Sequence, residues 1–349
     1  MPRRLKRILG TLIYDLPRFE WCLSRDWVRI RNRAEALAIA PDGSGAQCRW
    51  AWTSELDIAK VIGAMGRRLL RRALRDRPIR FAETQGDAGG QLQVSFVIGH
   101  RGAARLPHLL ATLRSIAAQQ GAACECIVVE QSNIPEIQAH LPSWVRYVHT
   151  PLPRADMPYC RSWTLNVGAR LARGALLVFH DNDMLVPECY GAELWRRFKE
   201  GYEVINAKRF VFYLEEVETR RFFESAVLSP DVRLESVVQN LEAGGSVAMA
   251  KEAFFAIGGY DESFVGWGGE DNEFWERANT RRVWPYGYLP IVHLWHPAQP
   301  RKTDPDNPTV RHYEKLSGTP VEDRVAELNQ RSFGRAERLS VEWTSTQAY

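Results

Sequence analysis

Residues 175–183 read ALLVFHDND, an apolar run that ends abruptly in acids. Five apolar residues without polar alternation fit a strand buried on both faces, the pattern of a parallel sheet. Two similar runs stand upstream, QLQVSFVIGH at 91–100 and ECIVVEQSN at 125–133, and VRYVHT at 145–150 reads as a further strand. Helical stretches separate them, at 106–120 and at 161–174, where RSWTLNVGARLARG is closed by Gly174. Buried strands alternating with helices predict an α/β unit on a mainly parallel sheet flanked by helices. Such sheets bind ligands beyond the carboxyl ends of their strands, which points at residues 99–101, 130–132 and 181–183.

Outward from this unit the grammar changes. Downstream, a helix is expected near 188–200, a strand near 203–212 and a less regular stretch over 213–242. Upstream, residues 1–90 read as a basic, mostly helical extension, bounded by Gly86, Gly89 and Gly90. The expected organisation is therefore an extension over 1–90, a catalytic-type domain over 91–315 and a polar tail over 316–349. No internal repeat and no low-complexity tract is visible.

Charge is unevenly spread. The whole chain carries a formal +4, but residues 1–90 hold 18 Lys/Arg against 10 Asp/Glu. That excess predicts contact with an anionic surface, through arginines such as Arg67, Arg68, Arg71 and Arg72 at helical spacing. The alternative is a solvated helical face. No nucleic-acid-binding motif accompanies the charge, so an anionic membrane is the expected partner. No apolar run reaches the ~20 residues that span a bilayer. The opening MPRRLKRILGTLIYDLPRF is too broken for a signal peptide and fits a short amphipathic surface helix. Six cysteines without C-x-x-C spacing predict reduced core thiols and a cytoplasmic protein, peripheral at the inner membrane face.

Three segments carry the chemistry. Asp181 and Asp183 follow the strand at 176–179, where two carboxylates can share one hard cation such as Mn²⁺ or Mg²⁺; an acidic turn capping a helix reads the same way. His293 and His296 follow a second apolar run at 289–292, and imidazole completes a mixed ligand set. GWGGED at 266–271 sets glycines around Trp267, an apolar platform for a sugar face. Glu270 and Asp271 then fall at a helix start, where the dipole favours a carboxylate able to take a proton; the plain alternative is a glycine loop with an acidic cap. Arg161 can pair with phosphate or with Asp181. Gly245, in Gly244-Gly245-Ser246, can let backbone line a sugar pocket.

Taken together these pieces resemble the GT-A-fold glycosyltransferases. VSFVIGHRGAARLPHLLATLRSI (94–116) looks like the family 2 nucleotide-binding start. GGSVAMAKEAFFAIGGYDESFVGWGGEDNEFWERA (244–278) and the HLWH at 293–296 are similar to β-1,4-galactosyltransferases and to the N-acetylgalactosaminyltransferases of chondroitin synthesis. The likeness covers about residues 91–310. It implies a Rossmann-like GT-A sheet, a UDP-sugar donor of galactose or N-acetylgalactosamine type, Mn²⁺ (or Mg²⁺), inversion at the anomeric carbon, and a glycan or lipid-linked glycan acceptor in polysaccharide or glycoconjugate synthesis. It implies that Asp183 holds the metal with one histidine, His296 by preference and His293 in reserve. Asp271 would be the general base, Glu270 and Trp267 would meet the acceptor, and Gly99, Arg101, Glu130 and Asp181 would line the nucleotide site. Two other readings compete: a sugar nucleotidyltransferase, which the short GHRGAAR turn does not favour, and a non-catalytic carbohydrate-binding protein on the same fold.

Overall fold

Apolar runs buried on both faces set the architecture seen in the computed structural model. The structure describes residues 3–48, 53–86, 90–239, 241, 243–298, 304 and 306–341. Gly89, part of the expected boundary, lies outside the described residues, as do residues 342–349 of the expected tail and most of the loop after His296.

The chain begins with α1 (Arg3–Gly10), a π-helical turn (Thr11–Asp15) and α2 (Leu16–Arg25), followed by β1 (Leu37–Ile39), β2 (Ala46–Cys48), β3 (Ser54–Glu55), α3 (Asp57–Val61) and α4 (Gly63–Asp76). The alternating unit follows: β4 (Val94–His100), α5 (Leu106–Ala117), β5 (Cys124–Ser132), β6 (Arg146–Pro151), α6 (Arg161–Leu171), β7 (Leu176–His180) and β8 (Met184–Leu185). Next come α7 (Tyr190–Lys199), β9 (Val204–Ile205), β10 (Lys208–Leu214), α8 (Glu216–Ser225), β11 (Leu234–Gln239), β12 (Ser246–Ala250) and α9 (Lys251–Ala256). The last elements are α10 (Glu270–Ala278), β13 (Val283–Trp284), β14 (Leu289–His293), α11 (Pro308–Ser317) and α12 (Val321–Asn329).

The main sheet runs β13-β9-β12-β7-β4-β5-β6. The four strands at one end, β7-β4-β5-β6, are parallel, as the strand–helix alternation predicts, and every residue of β5 and β7 is buried. Strand β12 enters antiparallel to β7 and brings the Gly244-Gly245 turn beside Asp181, whose amide donates to the Gly245 carbonyl at 2.9 Å. A second sheet, β3-β11-β10-β14-β8, stands beside the first. The stretch 213–242, expected to be irregular, supplies α8 and β11 to it. The β11 sequence LESVVQ is half exposed and mixes charge with apolar residues, so it lacks the run that marks a buried strand.

Residues 1–90 depart from the expected helical extension by adding three short strands. Strand β3 pairs with β11, and Phe19, Cys22, Leu23 and Trp27 share one core with Phe210, Phe212 and Val292 of the second sheet. The expected polar tail is also corrected over its described part. Helix α12 contributes buried Leu328, and Phe333 and Leu339 close the core under α9. All six cysteines are free thiols, five of them buried. No helix among the described residues is long and apolar enough to cross a membrane.

Candidate active site

A cleft of about 1220 Å³ opens where β7 and β14 end and β12 begins. Strand pairing assembles its first wall. Because β8 runs antiparallel to β14 with Met184 opposite His293, Asp183 is placed beside the HLWH segment, and the Leu294 amide donates to the Asp183 carbonyl at 2.9 Å. Asp183, His293 and His296 then offer one donor atom each, all within 4.8 Å of one another.

The donor chemistry fits a cation. His296 Nδ1 faces the Pro297 carbonyl at 2.6 Å. Its Nε2 faces Asp183 Oδ2, 3.3 Å away, and is the atom that could share a cation with that carboxylate. Asp183 Oδ1 and His293 Nδ1 are buried with no hydrogen-bond partner, and burial pushes the His293 imidazole towards its neutral, ligating form, against the pull of Asp183. Arg105 Nη2 donates to Asp183 Oδ2 at 2.6 Å in this structure. Both histidines therefore meet Asp183, where one had been preferred.

Asp181 stands apart from that trio. Its Oδ1 accepts from Arg161 Nε at 3.0 Å and Nη2 at 2.7 Å. The third guanidinium nitrogen, Nη1, donates to Asp271 Oδ1 at 2.7 Å. Arg161 thus ties the strand-end acid to the start of α10 across 110 residues of sequence. The two acids of D-x-D point in opposite directions: one to the arginine bridge, one to the histidines.

The GWGGED loop forms the opposite wall. Gly266, Gly268 and Gly269 have φ of 115°, 104° and 88°, open only to glycine at little cost. The Trp267 carbonyl accepts from Asn307 Nδ2 at 2.9 Å and from the Thr309 hydroxyl, and the Gly266 amide donates to the Tyr159 carbonyl at 3.0 Å. These bonds leave the Trp267 ring 40% exposed at the rim. Burial raises the Glu270 carboxyl to about 7, and the neighbouring Asp271 charge adds to the effect. Burial also raises Asp271, with Arg161 opposing it.

The remaining predicted residues divide. Gly99, Arg101 and Gly245 line the cleft, and Arg101 Nη1 donates to the Met157 carbonyl at 2.8 Å. Glu130 does not, and here the expectation is corrected. Its buried carboxylate accepts from the Glu136 amide at 3.0 Å and from Tyr147 Oη at 2.5 Å, pinning the 133–137 turn. The strand-end rule located Glu130 but not the direction of its side chain. Sequence reasoning missed Arg105, Tyr213 and Asn307. Tyr213 stacks on His293 with ring centroids 4.3 Å apart, a contact made by β10 pairing with β14, which no local motif signals.

Known proteins bear on part of this chain. Residues 235–284 match a family model described as the N-terminal domain of galactosyltransferase. That segment holds Gly245, Trp267, Glu270 and Asp271, and excludes the Asp183–histidine trio. No curated protein matches the chain. Among solved structures the chain is similar to one described as GalNAc-T7 with UDP, GalNAc and Mn²⁺, at 15% identity and TM-score 0.48, over 69% of this chain and 54% of that one. It is also similar to the catalytic domain of Drosophila β1,4-galactosyltransferase 7 in complex with xylobiose, at 18% identity and TM-score 0.32, over 55% of this chain and 63% of that one. The chain thus spans less than two thirds of the length of either.

Proposed function

We propose that this chain is a glycosyltransferase that moves a galactose- or N-acetylgalactosamine-type sugar from a UDP-sugar to a glycan hydroxyl, with inversion and a divalent cation. One observation carries the reading: a single cleft has Asp183, His293 and His296, with one potential ligand atom each, on one wall and the Glu270–Asp271 carboxylates on the other. The galactosyltransferase sequence match over 235–284 supports it.

Asp183, His293 and His296 would hold Mn²⁺ or Mg²⁺. When bound, such an ion neutralises charge developing on a departing diphosphate. The chain's own groups do the rest. Arg161 opposes the upward shift that burial gives Asp271 and fixes its carboxylate, so that Asp271 takes the proton of the attacking hydroxyl. As the acceptor oxygen bonds to the anomeric carbon, the bond from that carbon to the diphosphate breaks, in one displacement. Glu270, which keeps its proton up to about pH 7, donates a hydrogen bond to the acceptor sugar. Trp267 offers its exposed face to the C–H side of that sugar. The glycine backbone at 244–245 lets the donor sugar approach Asp271, holding the reactants in line.

The test is release of UDP from a panel of UDP-sugars with Mn²⁺, with and without glycan acceptors. Turnover from one donor, abolished in Asp183→Ala and, for acceptor-stimulated transfer, in Asp271→Asn, is the expected result. Absence of metal-dependent UDP binding and of release from every donor would sink the reading in favour of a non-catalytic carbohydrate-binding protein.

A further inference from the structure

Eleven large apolar side chains are exposed among the described residues, and six of them fall within residues 5–21: Leu5, Leu9, Leu12, Ile13, Tyr14 and Trp21. The other five are scattered singly. Residues 5, 9, 13 and 21 are separated by multiples of four, and the π-helical turn between α1 and α2 widens the spiral so that Leu12 and Tyr14 flank the same stripe. The opposite face of this helical arm is the buried one, with Thr11, Asp15, Phe19 and Cys22 packed inward. The arm therefore turns one apolar face to the core and a second to solvent, with Ile13 60%, Tyr14 63% and Trp21 53% exposed.

The charges around this face have one sign left over. Residues 1–25 contain six Lys/Arg and two Asp/Glu. Both acids are already used: Asp15 accepts from Arg33 at 2.8 Å and Glu20 from Arg68 at 2.7 Å. Lys6 and Arg25 are exposed and have no carboxylate partner among the described residues, and the Arg25 guanidinium lies over the Trp21 ring at 4.9 Å. The helix α4 arginines, which the sequence offered as the anion-binding set, are largely consumed: Arg68 pairs with Glu20, Arg71 with Asp231 and Arg72 with Asp76.

From this pattern we infer that the outer face of the α1–α2 arm docks on an anionic lipid bilayer, lying in its interface. A second protein surface would bury the apolar stripe equally well, but it would leave the unbalanced Lys6 and Arg25 without a reason. Leucine and isoleucine flanked by tryptophan, tyrosine and basic residues match the layered chemistry of a headgroup boundary. The arm packs against α3, directly after β3, and Glu55 of β3 lines the cleft. Docking by this face would hold the cleft close to acceptors carried in the membrane.

The experiment is co-sedimentation of the full chain with vesicles of phosphatidylcholine alone and of phosphatidylcholine mixed with phosphatidylglycerol. Wild type should bind the mixed vesicles and dissociate with salt. The double variant Leu9→Ser/Ile13→Ser should lose at least about tenfold in partitioning. Lys6→Glu and Arg25→Glu should each lose about fivefold, on the anionic vesicles only. These side chains are exposed, so melting temperatures should not move; Trp21→Gln serves as an independent variant if the double one folds poorly. Failure of wild type to bind mixed vesicles, or equal binding by the variants, overturns the inference. A concentration-dependent dimer that Leu9→Ser/Ile13→Ser dissolves, without vesicle binding, overturns it in favour of a second copy of the chain.

Discussion

Arg161 donates to Asp271 over 2.7 Å while the other edge of the same guanidinium holds Asp181. One cation therefore serves two acids of the cleft, and its own side chain is only 15% exposed. Removing it leaves two partly exposed carboxylates without their charged hydrogen-bond donor, at a cost of about 1–3 kcal/mol. Arg161→Ala should lower the melting temperature and reduce kcat/KM by about a hundredfold, the scale of losing a fixed charge at a reacting centre. It should also move the acidic limb of the pH–rate profile to higher pH, because Arg161 opposes the upward shift of Asp271. A profile displaced to lower pH, or left in place, would contradict the bridge's role in keeping Asp271 ionised.

Glu270 makes stability depend on pH in a definite direction. Its carboxyl is raised from the ordinary 4.5 to about 7, mainly by burial. Between those values the folded chain holds a proton that the unfolded chain has released, so the stabilisation is complete below the lower value. It is lost as pH rises through about 7. Glu270→Gln imitates the protonated form at every pH. The difference in melting temperature, variant minus wild type, should therefore grow more positive as buffers pass from mildly acidic to mildly alkaline. A difference that is flat across neutrality would place the Glu270 proton elsewhere.

The cation group predicts a pattern across variants. Asp183→Ala, His293→Ala and His296→Ala should each weaken Mn²⁺ binding, read by calorimetry without nucleotide, by at least about tenfold. Asp181→Ala should leave it nearly unchanged, because Asp181 is occupied by Arg161. Arg105→Ala should strengthen it, since the Arg105 guanidinium competes with a metal for Asp183. Equal losses in Asp181→Ala and Asp183→Ala would mean that both acids of D-x-D ligate.

How far the sequence carries these arguments differs from residue to residue. The strands β4, β5 and β7 were legible because burial on both faces removes polar alternation, and the acids after β7 marked the cleft. Direction was not legible. Asp181 and Asp183 are two residues apart and serve opposite partners because β8 pairs with β14, a contact between segments over 100 residues apart. Arg105 looked like any basic residue in a turn, and its meaning came only from the closeness of Asp183. Glu130 occupied the expected strand end but faced its own turn. In the N-terminal arm both faces of the helix carry apolar residues, and only the fold decides that Phe19 is covered while Ile13 is not.

Gly99 gives the last prediction. It closes β4 at the cleft, where a Cβ would lie 2.2 Å from both the Tyr159 hydroxyl and Thr164 Oγ1. Those two atoms hydrogen-bond each other at 3.1 Å, and Thr164 also donates to the Arg161 carbonyl at 2.8 Å. An added methyl group must push this network aside, and the first turn of α6, which carries Arg161, moves with it. Gly99→Ala should therefore cost about 1–3 kcal/mol in denaturant unfolding. Activity should fall further than stability explains when measured well below the melting temperature, because the displacement reaches Asp271 through Arg161. Thr164→Ala in the Gly99→Ala background should recover part of both losses by making room. If the double variant is no better than the sum of the two single changes, the clash at Thr164 is not what makes glycine necessary here.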